Sequence, residues 1–166
     1  MGLVNFTGGV GISGHSMGGG STLKDSTAEF ASAHGIGAAV MLHAYTHDYP
    51  APAVPFLAFT GTGDTTAPAA MTEKFYAAAN ATLPRGIVNK VGATHQEPSD
   101  YKNKAEPYNP LMAQYMAAWF KLYLDDWSKA SPGGTGDVDF DDMIYGTGPN
   151  SICTGGDGDM GGHGPT

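Results

Sequence analysis

Gly9-Val10-Gly11-Ile12-Ser13-Gly14-His15-Ser16-Met17-Gly18-Gly19-Gly20-Ser21-Thr22-Leu23 is the stretch from which the rest of the chain can be read. Val10 to Ser13 has the character of a short buried strand, and Met17 to His34 reads as a helix. Between them, Gly14-His15-Ser16-Met17-Gly18 fits G-x-S-x-G, a pattern whose meaning depends on this strand–turn–helix context. There the serine sits on a sharp, strained turn, so the residues two before and two after it must be small enough for strand and helix to pass closely. The turn lifts the hydroxyl clear of the sheet and aims a helix N-terminus at it. Residues 9–14 also match G-x-G-x-x-G. A dinucleotide site needs a full strand ahead of that motif, and only eight residues precede Gly9.

Outward from this turn, three more strand-like runs follow: Ile36 to Tyr45, Val54 to Gly61 and Gly86 to Val91. Pro68 to Asn80 and Asn109 to Ala130 read as helices. In the latter, Asn109 can cap, Pro110 fits the first turn, and Met112, Met116, Trp119, Phe120, Tyr123 and Trp127 make one apolar stripe. Strands alternating with helices predict an α/β fold, a mostly parallel sheet flanked by helices.

A serine hydroxyl is a weak nucleophile until a base takes its proton, and that base needs a carboxylate to orient it. Phe56-Leu57-Ala58-Phe59-Thr60-Gly61-Thr62-Gly63-Asp64 puts Asp64 just past the third strand. Val91-Gly92-Ala93-Thr94-His95 puts His95 just past the fourth. Ser16, Asp64 and His95 thus fall at successive strand ends in the chain order that a strand-end catalytic triad requires. Bland roles compete: Asp64 can cap the next helix, and His95 can be an ordinary loop histidine. His15 flanks the nucleophile without reaching it as a base. His43 and His47 have i, i+4 spacing, but they follow a strand and no third metal ligand is evident, so no metal is expected.

Composition narrows the alternatives. The chain has 166 residues, 16 acidic against 8 basic, a net charge of −8 and one cysteine. The missing basic face argues against nucleic-acid binding. No apolar run approaches the length that spans a bilayer, and a lone cysteine excludes an intrachain disulfide or a cysteine-cluster metal site. Met1 to Thr7 has neither the basic nor the apolar region of a signal peptide. Three segments are expected: a domain over 1–130, an ordered or semi-ordered extension over 131–152, and a Gly/Asp-rich disordered tail over 153–166. The aspartates at 137, 139, 141 and 142 resemble the start of a calcium loop without its glycine and distal glutamate, so a solvated acidic loop is expected there.

In combination, GHSMGGGSTL, PFLAFTGTGDTTAP, VGATHQEP and the helix with WFKLYLDD resemble the α/β-hydrolase family over about residues 9–130. The nearest branch is the capless cutinase-like and polyester-hydrolase group, with dienelactone-hydrolase-like and chlorophyllase-like esterases close by. The resemblance implies a serine carboxylic ester hydrolase without a cofactor, with Ser16 as nucleophile, His95 as base and Asp64 as its orienting carboxylate. It implies the Met17 N–H as an oxyanion donor, and Tyr45 and His15 beside the substrate. The intervals between Ser16, Asp64 and His95 leave no room for a cap domain, so an open cleft able to admit small or polymeric esters is expected. Members of the family commonly place about five strands up to the nucleophile and are secreted, so the resemblance implies that the chain is the C-terminal half of such a domain and, if it holds, a secreted protein. The resemblance then implies that the loop with the second oxyanion donor is not in this stretch, and that the C-terminal disulfide common in cutinase-like members has only Cys153 to draw on. The competing expectation is a non-catalytic module that dimerises through an uncovered strand edge.

Overall fold

In a computed structural model, the described residues are 9–99 and 110–124. They form four strands, β1 (Val10–His15), β2 (Ile36–Leu42), β3 (Phe56–Gly61) and β4 (Arg85–Lys90), and four helices, α1 (Met17–Asp25), α2 (Ala28–His34), α3 (Ala69–Ala78) and α4 (Pro110–Leu124). The strands lie in the order β1-β2-β3-β4 and every pairing is parallel. This is the parallel, helix-flanked sheet expected of a partial α/β-hydrolase fold. Because helices cover both faces, β2 and β3 are apolar at nearly every position rather than at alternate ones.

Alternate residues nevertheless go to opposite sides. Ala38, Val40, Leu57 and Phe59 face α4 and pack with Met112, Tyr115, Ala118 and Trp119. Ala39, Met41, Phe56 and Ala58 face the other way, against Leu23, Ala31 and Phe75 of α1, α2 and α3. Trp119, Phe56, Phe59 and Phe75 are almost wholly buried, and each such side chain contributes on the order of 1.5–3 kcal/mol. Trp119 also donates from Nε1 to the Pro55 carbonyl at 3.4 Å. Of the expected stripe, Met112 and Trp119 are buried and Met116, Phe120 and Tyr123 are partly buried against them; Tyr115 and Ala118, absent from that expectation, are buried beside them. Trp127 and Asn109 lie outside the described residues.

Where α4 crosses β1 and the start of β2, it lies over glycines, Gly11 of β1 and Gly37 of β2. A Cβ on Gly11 would come within 2.8 Å of Phe120 and Leu124, and one on Gly37 within 2.9 Å of Leu124. Small residues here let a bulky helix face lie directly on the backbone. Residues 10–14 of the G-x-G-x-x-G match lie inside β1 rather than in a loop after a strand, which is where a phosphate would have to sit. Among the described residues β1 is an edge strand, with Val10 49% exposed.

The helix expected over Met17 to His34 is broken. Ser26 bonds from Oγ to the Leu23 carbonyl at 2.7 Å, and Thr27 from Oγ1 to that of Lys24 at 2.8 Å. Thr27 is extended, with φ −68° and ψ 157°. These short hydroxyl side chains compete for the backbone. The break leaves the buried Ser26 carbonyl free to accept from the Ala53 N–H at 2.8 Å, tying the loop before β3 to α1. That loop, residues 43–55, joins β2 to β3 without a helix. Among the described residues, no helix is long and apolar enough to cross a membrane. The 131–152 extension, the 153–166 tail, the acidic stretch at 137–142 and Cys153 lie outside the described residues.

Candidate active site

Ser16 is the hinge between β1 and α1, with φ 58° and ψ −122°. A non-glycine residue there costs on the order of 1–3 kcal/mol unless its surroundings enforce it. Three backbone bonds do so: Ser16 N–H to the Leu42 carbonyl at 3.1 Å, and its own carbonyl accepting from Gly20 at 3.0 Å and Tyr45 at 2.9 Å. The glycines around it are unequal. A Cβ on Gly14 would strike the Gly18 backbone, one on Gly19 would meet Ala44 at 2.9 Å, and one on Gly20 the Tyr45 carbonyl at 2.6 Å. Gly18 faces open space. The motif's second glycine is therefore not the one that close packing demands. Gly14 carries that constraint on the strand side, and Gly19 and Gly20 on the helix side.

Asp64 follows β3 in a turn closed by its N–H to the Gly61 carbonyl at 3.1 Å. Its Oδ1 accepts from the N–H groups of Thr66 and Ala67 at 2.8 and 2.7 Å. Its capping role and a role towards His95 are thus divided between two oxygens. The loop carrying His95 is bound to the same turn: Gly63 N–H reaches the Ala93 carbonyl at 3.0 Å, and Gly92, at φ 76°, donates to Thr62 Oγ1 at 2.9 Å. His95 then lies with Nδ1 at 2.9 Å from Asp64 Oδ2 and Nε2 at 2.8 Å from Ser16 Oγ. A carboxylate only accepts, so Nδ1 carries the proton and Nε2 is left to accept from the serine. The His95 side chain is 12% exposed and Asp64 is fully enclosed.

Burial alone would raise the Asp64 pKa. The Ala67 N–H, the imidazoles of His95 and His43, and the Thr66 N–H outweigh it and hold the carboxyl below the ordinary aspartate range. His15 donates from Nε2 to the His95 carbonyl at 2.7 Å, and its ring centroid lies 4.8 Å from that of His95. Its pKa is pushed down, chiefly by burial, with the neighbouring histidines adding to the effect. Tyr45 is anchored beside Ser16 by its backbone, while its hydroxyl meets Nε2 of the exposed His47 at 3.0 Å.

One neighbour escapes a reading by motif. His43 is fully buried at the end of β2, at φ 44°, with Nδ1 at 2.9 Å from Asp64 Oδ2 and Nε2 at 3.0 Å from Glu97 Oε2. Glu97 Oε1 in turn meets Lys90 Nζ at 2.9 Å. His43 therefore points inward, away from the exposed His47 with which its spacing suggested a metal pair. A histidine closing an unbroken apolar run, and a glutamate two residues after His95, were the available signals. Ligand atoms of His43, Asp64 and His95 lie within 4.8 Å of one another. Both histidine Nδ1 atoms are already directed at the same carboxylate oxygen, so an ion could enter only by displacing those bonds.

Comparison with known proteins decides the family. Residues 6–132 match the model of the PET hydrolase-like family. The chain belongs to that family. It is also 32% identical over 123 residues to a bis(hydroxyethyl) terephthalate hydrolase of Streptomyces coelicolor, a stretch covering 72% of this chain. The chain spans 36% of that relative's length.

Proposed function

We propose that this PET hydrolase-like chain carries the catalytic face of a serine carboxylic ester hydrolase. The observation behind the proposal is the continuous path from Ser16 Oγ through both ring nitrogens of His95 to Asp64, at 2.8 and 2.9 Å, on a strained strand-to-helix turn. Ser16 Oγ attacks the ester carbonyl carbon while its proton passes to His95 Nε2. The oxyanion faces the N–H of Met17, which as the first helical residue has no acceptor within its helix. Collapse breaks the bond to the alcohol, which leaves with the proton from Nε2, and the acyl group stays on Ser16. Water then gives a proton to Nε2 as its oxygen attacks the acyl carbon. The carboxylic acid departs and Ser16 recovers its proton. Asp64 stays ionised and holds the tautomer throughout.

His15 and Tyr45 adjoin Ser16 in the chain and through its backbone bonds, and we assign them to the walls of the substrate cleft. The relative's name suggests a diester of an aromatic acid with a small alcohol as substrate. The test is release of mono(hydroxyethyl) terephthalate from bis(hydroxyethyl) terephthalate, with p-nitrophenyl acetate as a general ester. Ser16→Ala is expected to lower kcat by about 10⁶. Undiminished turnover in that variant would contradict the assignment.

A further inference from the structure

We propose that His43, held from behind by Glu97, is a positioning residue for Asp64 and, through it, for His95. The inference rests on the triad reading above. Asp64 Oδ1 is fixed by two backbone N–H groups, but Oδ2, the oxygen that meets His95, would otherwise be held by that imidazole alone. His43 supplies a second donor to the same atom at 2.9 Å, from a ring with no exposed surface. Its rotation is blocked in turn by Glu97 at 3.0 Å, and Glu97 is tied to Lys90. The chain of contacts thus runs from β4 through the buried end of β2 to the carboxylate.

Stability alone gives a poor reason for this cluster. A non-glycine residue at positive φ is strained, and buried ionic networks can often be replaced by apolar residues at no loss of stability. Strained, buried polar residues concentrate where geometry must be exact to a fraction of an ångström. The His43–Glu97 contact also has a defined chemistry. Two lone pairs cannot face each other at 3.0 Å, so a proton lies between Nε2 and Oε2, on one or the other. A glutamine at 97 can provide that proton from its amide, whereas an alanine cannot.

The full chain and its His43→Leu, Glu97→Ala and Glu97→Gln variants are compared by steady-state kinetics on p-nitrophenyl acetate, normalised to serine titratable with a fluorophosphonate. His43→Leu and Glu97→Ala should lose roughly 10- to 100-fold in kcat with KM nearly unchanged. Glu97→Gln should recover most of the loss. Low-field proton NMR supplies a readout independent of turnover: the His95 Nδ1–H resonance should shift or broaden in His43→Leu and Glu97→Ala and return in Glu97→Gln. An unmoved His95 resonance, or unchanged kcat per titratable serine in folded variants, would overturn the proposal. An inactive wild type whose His95 resonance still responds would instead count against the esterase reading and leave the positioning role supported.

Discussion

Asp64 keeps its charge away from bulk water because four N–H groups converge on it, two from backbone and two from imidazoles. Replacing it with asparagine puts an amide where an acceptor is needed and favours the wrong tautomer of His95. We expect Asp64→Asn to lower kcat by about 10⁴, read as p-nitrophenyl acetate turnover per folded molecule. Around Ser16 the prediction turns on steric room. Gly14→Ala forces the Gly18 backbone away and should unfold the turn or abolish activity. Gly18→Ala meets nothing within 4 Å and sits inside α1, so it should raise stability by about 0.4–1 kcal/mol, measured as a higher urea midpoint. The meeting of Ser16, Asp64 and His95 in space was legible because a short motif and strand-end positions constrain where they stand. His43 was not, because its partners Asp64 and Glu97 are brought to it only by folding. The glycine pattern misled for a related reason: the motif shows where small residues stand, not which of them another backbone approaches.

Among the elements, α4 does the most to hold the sheet's second face, with Trp119 wholly buried over β2 and β3. Trp119→Ala is expected to cost about 3–5 kcal/mol, seen as a large drop in the denaturant midpoint, with the local geometry at Ser16 left intact in the molecules that remain folded. Apolar runs and one apolar stripe were enough to find α4 and all four strands, but β1, expected to be buried, has no buried residue because it is the edge strand among the described residues. Such patterns could not find the division of α1 from α2, since Ser26 and Thr27 are tolerated in helices. What fixes the break is those two hydroxyls turned back onto the Leu23 and Lys24 carbonyls, together with the buried bond from the Ala53 N–H to the Ser26 carbonyl, a partner distant in sequence. The helix-free passage from β2 to β3 has a similar origin: it carries His43 inward and Tyr45 beside Ser16, and local propensity has no access to either task.

Across the whole molecule, the site makes stability depend on pH. His15 has a pKa below its ordinary 6.5 and Asp64 one below its ordinary 3.8. Both groups therefore bind fewer protons folded than unfolded, so each adds stability that is complete above its unfolded value and declines as pH falls towards its folded one. The urea midpoint should begin to fall near pH 6.5, fall further below about 4, and lose part of the first decline in His15→Gln; a midpoint that rose on acidification from neutral pH would contradict this. The central claim, that Ser16 is a nucleophile activated by His95, is tested most directly by exposing the folded chain to a fluorophosphonate and locating the adduct by peptide mass spectrometry. One adduct on Ser16, strongly slowed in His95→Ala, is the predicted result; a folded chain that acquires none at Ser16, or acquires it at the same rate without His95, would contradict the account.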